Sequence, residues 1–237
     1  MQVAHVSRDF SLDRVVPFFQ PIIDIHNDIV WRYECLARFI NVEQQSFVPT
    51  ELLYLVDRRH SKAHLTHTIF NGSANYFRHI NMAWSINLSL QDMLDPEMTD
   101  FMRTQLQDYP NPTRISIEIA STNALENRAA FNEFALLSKS LNLSITLDQL
   151  DPQQDDLLQL LYLPVDAIKI SVKDIRKSQQ NAKVAEALKV FFSQAEEKGI
   201  DLIAEHIEHK AELDMIRGMG IQYAQGFHFS LPKAFID

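Results

Sequence analysis

The sequence predicts an α/β fold built as a modified (β/α)8 TIM-like barrel, and three observations support it. Short apolar runs alternate with helical patterns along the chain, which is typical of parallel strands joined by helical crossovers. About eight such runs occur in 237 residues, a length close to the roughly 250 residues of this barrel class. Each run is nearly all apolar, as expected for strands covered on both faces. A doubly wound open sheet is the alternative.

The first two predicted strands form a pair. Residues 16–25 and 29–39 are apolar runs separated by a short polar turn, which indicates a hairpin. A hairpin at this position is unusual in a regular barrel and therefore points to a modified one. A helix is predicted to begin near Pro49, where proline suits the first helical turn, and a longer helix is predicted over residues 62–77.

The rest of the chain repeats a strand followed by a helix. Pro96 suits the first turn of a helix, and the other bounds follow from a change of hydrophobic period. The predicted strands are residues 83–88, 114–120, 143–147, 165–170, 200–204 and 221–224, and the predicted helices are residues 96–107, 123–141, 154–162, 172–198 and 209–219. No linker, low-complexity tract or internal repeat interrupts the pattern, so a single domain over residues 1–237 is expected.

The composition excludes several classes of protein. Cys35 is the one cysteine, so a disulfide framework is excluded and a reducing, cytoplasmic location is expected. No apolar run approaches the roughly 20 residues that span a bilayer, so no membrane segment is expected. The chain has 22 basic and 31 acidic residues, a net charge of −9, which argues against DNA or RNA as a partner. Five glycines and the absence of a phosphate-loop motif argue against a glycine-rich phosphate site.

Polar residues recur at the ends of the predicted strands. In (β/α)8 barrels the functional groups collect at the carboxyl ends of the strands, so these side chains are expected at one mouth. Four of the seven residues are carboxylates, which repel one another unless a cation neutralises them. Oxygen-rich sites of this kind suit Mg²⁺ or Mn²⁺. The seven residues are Glu34, Asn87, Glu118, Asp148, Lys169, Glu205 and Gln225.

Short motifs in a fixed order resemble those of the EAL-domain family, the bacterial cyclic di-GMP phosphodiesterases and their degenerate relatives. The resemblance runs from Phe18 to about Pro232 and implies a barrel with one antiparallel strand, which accounts for the opening hairpin. The matching stretches are residues 19–22 for Y-Q-P-I, 34–38 for E-A-L-x-R with cysteine for alanine, 87–89 for N-x-S, 118–122 for E-L-T-E-S, 148–151 for D-D-F-G, 163–171 for L-P-x-D-x-L-K-I-D, 204–208 for A-E-G-V-E and 225–232 for Q-G-Y-x-F-S-K-P.

The resemblance also implies a role for each matching residue. Active members of the family hydrolyse cyclic di-GMP to the linear dinucleotide with two Mg²⁺ or Mn²⁺ ions, which activate water and stabilise displacement at phosphorus. The catalytic groups are implied to be Lys169, at the attacking water, and Glu205, near the second ion. The implied ligands of the first ion are Glu34, Asn87, Glu118 and Asp148. The residues implied to face or support the nucleotide are Gln20, Arg38, Glu208 and Gln225.

Several positions depart from the family motifs. Gln149 replaces the second aspartate of D-D-F-G, so this position offers an amide oxygen without a charge. Losing an anionic ligand should weaken the second ion most, so the first ion site is the better supported one. The other departures are Asp151 for the glycine of the same motif, Ser121 for the second glutamate of E-L-T-E-S, Ser171 for the aspartate of K-I-D, and His206 for the glycine of A-E-G-V-E.

Three further residues lie in or near the motifs. Cys35 follows Glu34 on a strand, so its side chain should point the other way, into packing. His206 and His209 lie close to Glu205 in the sequence, but a metal contact by either histidine is the less favoured interpretation.

Three functional hypotheses follow. The favoured one is a degenerate EAL domain that binds cyclic di-GMP, a regulatory protein partner or both, with weak or no hydrolysis. The first alternative is a working metal-dependent phosphodiesterase in which Gln149 or Asp151 stands in for the lost aspartate. The second alternative is a protein-interaction domain without nucleotide, against which the retained strand-end residues argue. The oligomeric state stays open, a homodimer included.

Overall fold

The computed structural model describes residues 11–41, 46–47 and 62–236. The strands are β1 (Val15–Asp24), β2 (Ile29–Ile40), β3 (Ser46–Phe47), β4 (Ala83–Asn87), β5 (Ile115–Ala120), β6 (Ser144–Asp148), β7 (Ala167–Ser171), β8 (Asp201–Glu205) and β9 (Tyr223–Gln225). The helices are α1 (Lys62–Phe77), α2 (Leu90–Leu94), α3 (Pro96–Leu106), α4 (Ser121–Glu126), α5 (Arg128–Ser140), α6 (Val172–Ser178), α7 (Ala182–Glu197) and α8 (Lys210–Gly218). Short 3-10 turns cover Leu12–Arg14, Pro112–Arg114 and Leu157–Tyr162.

Eight of these strands close into a barrel. Their order is β1-β9-β8-β7-β6-β5-β4-β2, and β1 pairs with β2 to complete the ring. Strand β1 runs antiparallel to both of its neighbours, while the other pairings within the ring are parallel. The short β3 pairs with β2 outside the ring. The predicted barrel with one antiparallel strand is confirmed, and the open doubly wound sheet is excluded.

Most predicted elements occur close to their predicted bounds, but two long helices are each divided. Residues 123–141 contain parts of α4 and α5, and residues 172–198 contain α6 and α7. The second division has a clear cause, because the side chain of Asn181 accepts hydrogen bonds from the first backbone N–H groups of α7 and so begins a new helix. The predicted helix over residues 154–162 is a 3-10 turn from Leu157. The helix predicted near Pro49 lies outside the described residues.

The barrel wall is apolar outside and polar inside along β4, β5 and β6. Trp84 and Ile86 belong to the core under the helices, whereas Ser85 donates a hydrogen bond to Glu118 across the interior. Ser116 and Thr146 are hydrogen-bonded inside at 2.9 Å. The expectation that these strands are nearly all apolar is therefore wrong. They alternate with a period of two because their inner face carries the polar groups of the site.

Gly226 lets the segment after β9 approach the loop after β8. A Cβ atom at this position would lie 2.0 Å from the carbonyl oxygen of Ile207, so no larger residue fits. Backbone hydrogen bonds join the two segments, from Ile207 N to the Gln225 carbonyl at 3.0 Å and from His228 N to the Ile207 carbonyl at 2.9 Å. This contact fixes the loop that carries His206 against the strand that carries Gln225.

Two sequence expectations concern the chain as a whole. Among the described residues, none of the helices combines the length and the apolar character that crossing a bilayer requires. The assignment of residues 1–237 to a single domain stays a prediction.

Candidate functional site

The carboxyl ends of the barrel strands surround a cavity of about 750 Å³. Parallel strands bring their ends to one rim, and the antiparallel β1 contributes from its middle, where Gln20 pairs in register with Glu34. The predicted site residues on this cavity are Gln20, Glu34, Arg38, Asn87, Glu118, Asp148, Glu205, Glu208 and Gln225. Lys169 lies beneath them, in contact with Glu34 and Glu118. The structure therefore brings the ten predicted site residues together at one end of the barrel.

Lys169 is at the centre of a buried charge network. Its side chain is 1% exposed, and its Nζ lies 2.8 Å from Glu34 Oε2 and 2.7 Å from Glu118 Oε2. Burial lowers the pKa of Lys169, but the charges of Glu118 and Glu34 outweigh burial and raise this pKa well above its ordinary value. The ammonium therefore stays charged and balances the two carboxylates.

Both carboxylate oxygens of Glu34 accept hydrogen bonds from side-chain amides. Asn87 Nδ2 donates to Glu34 Oε1 at 2.7 Å, and Gln225 Nε2 donates to Glu34 Oε2 at 2.7 Å. Burial raises the pKa of Glu34, but Lys169 and these amides bring the pKa below its ordinary value, so the carboxylate is ionised. Gln225 also donates to Gln20 Oε1 at 3.3 Å. Gln20 and Gln225 therefore position Glu34 as well as lining the cavity.

Two carboxyl groups at the mouth have raised pKa values. Burial and the charge of Glu34 raise the pKa of Glu118 to about 7. Burial and the charge of Asp148 raise the pKa of Glu205 to about 8. Within the described part of the chain the Glu205 carboxylate accepts no hydrogen bond, and its oxygen lies 3.4 Å from His206 Nδ1. Near neutral pH these two groups hold protons that a bound cation could displace.

The donors at the mouth have the chemistry of a divalent-cation site. Glu34, Glu118 and Asp148 offer carboxylate oxygens and Asn87 offers an amide oxygen, which are the ligands that Mg²⁺ and Mn²⁺ prefer. In the structure, Lys169 forms ion pairs with two of these carboxylates, Glu34 and Glu118. Among the described residues no group of three His, Cys, Asp or Glu side chains is placed to hold a metal ion. The donor set therefore fits a hard cation, while the ammonium balances the cluster in this arrangement.

Arg38 and Glu208 lie at the rim of the cavity. Arg38 is half-buried and its guanidinium donates to the carbonyl of Ala37 at 2.8 Å. Glu208 is exposed, and its carboxylate lies 3.7 Å from Lys173 Nζ. Their partners are a backbone carbonyl and an exposed lysine, so neither side chain takes part in the buried charge network around Lys169.

The departures from the family motifs collect on one side of the mouth. A second cavity of about 410 Å³ shares Gln149, Glu205 and His206 with the first, and Asp151 and Ser171 also line it. Ser121 donates to the backbone carbonyl of Gln149 at 3.0 Å. Gln149 and His206 have φ angles of 58° and 63°, the left-handed region that favours glycine. The five changed positions therefore form one altered side, next to Asp148 and Glu205.

Some residues of the site carry no motif in the sequence. Leu65 and Ile69 of α1 form part of the cavity wall, next to the exposed Phe227 of the motif at residues 225–232. Ser85 supports Glu118 from the neighbouring strand. Its position could be found from the period of two, since Ser85 precedes Asn87 by two residues and so shares its face. The buried Cys35 packs in the core, as expected.

Comparison with protein families gives one match over nearly the whole chain. The family model of the EAL domain matches residues 3–232. The chain belongs to the EAL-domain family. Cyclic di-GMP phosphodiesterase PdeB of Shewanella oneidensis is 29% identical to this EAL domain over 63% of the chain and 18% of that protein. Cyclic di-GMP phosphodiesterase PdeA of Borreliella burgdorferi is 23% identical over 91% of the chain and 33% of that protein. The chain thus spans a third or less of these two relatives.

Solved structures of EAL domains share the fold. The PaMucR phosphodiesterase in complex with c-di-GMP superposes with a TM-score of 0.83 at 18% identity, covering 98% of both chains. The FimX EAL domain from Pseudomonas aeruginosa, bound to c-di-GMP, superposes with a TM-score of 0.80 at 20% identity, covering 99% of this chain and 96% of that one. At these identities the likeness establishes the fold of this EAL domain.

The stability of the metal-free EAL domain should fall as the pH rises from about 5 to about 8. The pKa values of Glu118 and Glu205, about 7 and about 8, exceed the ordinary value of 4.5. The unfolded chain therefore binds fewer of these protons than the folded chain in this window, and rising pH favours unfolding. We expect a decrease on the order of 5 kcal/mol, since one pKa unit corresponds to about 1.4 kcal/mol and both groups lose their protons within this window. The free energy of unfolding, measured with urea in the presence of a chelator at several pH values, tests this prediction.

The Glu205→Gln variant provides the control for this pH dependence. Glutamine carries no titrating proton, so the variant should lose less stability over the same pH range. Glu133→Gln removes an exposed carboxylate of α5 and should behave like the unmodified protein. A free energy of unfolding that rises between pH 5 and pH 8 would contradict the raised pKa values.

Proposed function

We propose that this EAL domain binds cyclic di-GMP at the mouth of the barrel and hydrolyses it slowly or not at all. The observation that carries the proposal is the cavity of about 750 Å³ at the mouth, which combines the retained carboxylate cluster with one altered side. Its size lies within the roughly 300–1,000 Å³ of small-molecule sites. The PaMucR and FimX structures, each a complex with c-di-GMP, support the choice of ligand.

The chemistry of the cavity suits a cyclic dinucleotide. Cyclic di-GMP carries two negatively charged phosphodiesters and two flat guanine bases. The Arg38 guanidinium at the rim can donate two parallel hydrogen bonds to a phosphate. Phe227 offers an exposed ring at the same cavity, on which a base can stack. The cavity therefore offers a partner for both chemical parts of the ligand.

The cofactor in this proposal is Mg²⁺ or Mn²⁺, held first by Glu34, Asn87, Glu118 and Asp148. A divalent cation bound there supplies a Lewis acid for phosphate and a lower pKa for water. The chain supplies the rest. Lys169 keeps Glu34 and Glu118 oriented, and Glu205, with its pKa of about 8, can hold a proton near neutral pH beside a scissile phosphoester.

Weak hydrolysis is proposed because the altered side has lost a charge. Gln149 offers no anionic oxygen beside Asp148 and Glu205, so a second cation there has one anionic ligand fewer. A working phosphodiesterase is the second candidate function, and Asp151 favours it because Asp151 borders the same side cavity as Gln149. A regulatory protein partner and a homodimer stay predictions.

Calorimetric titration of the purified EAL domain with cyclic di-GMP, with and without Mg²⁺, tests the binding. We expect saturable binding, and the Arg38→Met variant should bind at least about tenfold more weakly because it loses a charge-assisted hydrogen bond to phosphate. Arg128→Met removes an exposed arginine from α5 and should leave the affinity unchanged. Absence of binding to the unmodified protein would favour the protein-interaction hypothesis instead.

A further inference from the structure

A β-bulge in β2 lies at the end of the barrel opposite the mouth. The register between β1 and β2 shifts between Arg32 and Val30, which leaves Trp31 as the extra residue. The Trp31 ring stacks on the Tyr223 ring at a centroid distance of 3.9 Å, and the Arg32 Cζ lies 3.7 Å from the centroid of the Trp31 ring. The two rings pack against an apolar cluster formed by Ile22, Ala167 and Ile203.

These side chains form the layer of the barrel interior directly below the mouth. Residues two positions apart on a strand share a face and lie roughly 6–7 Å apart along it. Arg32 precedes Glu34 by two positions, so it lies one layer below that carboxylate. Other residues of the layer stand in the same relation to the mouth, Ala167 to Lys169, Ile203 to Glu205 and Tyr223 to Gln225. A guanidinium therefore lies beneath the carboxylate cluster, inside the ring of strands.

The charge of Arg32 is not neutralised by a contacting carboxylate. Its Nε and Nη1 are buried without a hydrogen-bond partner, and Arg32 forms no ion pair in the part of the chain that the structure describes. Burial lowers the pKa of Arg32, and the charge of Glu118 opposes this more strongly than the charges of Asp201 and Asp166 do. An arginine side chain stays protonated near neutral pH, so this positive charge is permanent.

We propose that Arg32 weakens the binding of a dication at the mouth, because it supplies a fixed positive charge from the layer below. The proposal deepens the proposed function, on which it rests for the place of the first cation. Lys169 already balances Glu34 and Glu118, so with Arg32 these two carboxylates have two cations of the chain beside them. A dication gains less attraction from carboxylates that are already balanced, and both cations repel it. This is a reason for weak hydrolysis that does not depend on Gln149.

Titration of the full chain with Mn²⁺ in the absence of nucleotide, followed by the electron paramagnetic resonance of free Mn²⁺, tests this inference. The Arg32→Met variant should bind Mn²⁺ at least about tenfold more tightly than the unmodified protein, because charges inside a protein are screened less than in water. Arg32→Gln also removes the charge and should show the same gain, so either variant that folds provides the test. Arg32→Lys keeps the charge and should retain the weak affinity, a rescue that a purely structural role would not predict.

Two further variants are the controls. Arg78 also lies over an aromatic ring, 5.5 Å from the centroid of Tyr109, but it follows α1 outside the ring of strands. Arg78→Met should therefore leave the affinity for Mn²⁺ unchanged. Adding Glu34→Ala to Arg32→Met should remove the gain, since the first cation loses a ligand.

Four results would each overturn the inference. They are equal Mn²⁺ affinities of the unmodified protein and Arg32→Met, an equal gain in Arg78→Met, a gain in Arg32→Lys as large as in Arg32→Met, and a gain that survives Glu34→Ala. Titration of the unmodified protein with cyclic di-GMP in a chelator separates the two proposals. Tighter Mn²⁺ binding in Arg32→Met without any binding of cyclic di-GMP would support this inference and overturn the proposed function. Binding of cyclic di-GMP with an unchanged Mn²⁺ affinity would do the reverse.

Discussion

Replacing Lys169 with methionine should destabilise the EAL domain by about 3–5 kcal/mol, the usual cost of removing one partner of a buried ion pair. The ammonium lies between Glu34 and Glu118 at 2.8 and 2.7 Å, and these two side chains are 9% and 1% exposed. Without the ammonium, two nearly buried carboxylates share one space with no cation to balance them. Chemical unfolding at pH 8 in a chelator measures the loss.

The loss of stability should depend on pH and on how deeply the replaced lysine is buried. At pH 5 Glu118 is protonated, since its pKa is about 7, so the cost of Lys169→Met should be smaller than at pH 8. Lys173→Met is the matched control, because Lys173 is 70% exposed and its Nζ lies 3.7 Å from Glu208. An exposed pair of this kind contributes less than about 1 kcal/mol. Equal losses for the two lysine variants would contradict the buried network.

The barrel and the composition of its mouth could be predicted because both depend on local patterns. Alternating strand and helix signals specify parallel crossovers, and the strand-end residues follow from the rule that parallel strands share one rim. The lysine network could not be predicted in this way. Glu34 and Lys169 are 135 positions apart, and their contact depends on the closure of the ring through β1 and β2. Closure is a property of the whole sheet, which no single motif encodes.

The altered side shows a second limit of sequence reasoning. From the sequence, Gln149 and His206 are losses relative to the family motifs, each judged by its side chain. The structure shows that both residues hold left-handed backbone conformations at one side cavity. Tertiary contacts fix these conformations, among them the hydrogen bond from Ser121 to the Gln149 carbonyl. Because such contacts join distant segments, the φ angles could not be predicted from the residue types, which disfavour them.

Replacing Gln149 with aspartate should raise the rate of cyclic di-GMP hydrolysis by about tenfold or more, the scale on which single groups around a metal change activity. The aspartate returns an anionic oxygen beside Asp148 and Glu205, where a second cation needs it. The backbone should accept the change, because aspartate is among the residues that tolerate a φ of 58°. Release of the linear dinucleotide in Mn²⁺, followed by chromatography, measures the rate.

Two further variants serve as controls for the hydrolysis rate. Gln153→Asp adds the same charge at an exposed position four residues along the chain and should not change the rate. Glu34→Ala removes a ligand of the first cation and should abolish the metal-dependent activity, in the Gln149→Asp background as well. If the unmodified protein turns over at about 1 s⁻¹ or more, a rate typical of enzymes, the degenerate interpretation is wrong and the working phosphodiesterase replaces it.

The size of the gain from Gln149→Asp depends on the rest of the altered side. Asp151, Ser121 and Ser171 also differ from the family motifs, and a displacement of about 1 Å at a reacting group can cost about a hundredfold in rate. A partial gain is therefore expected.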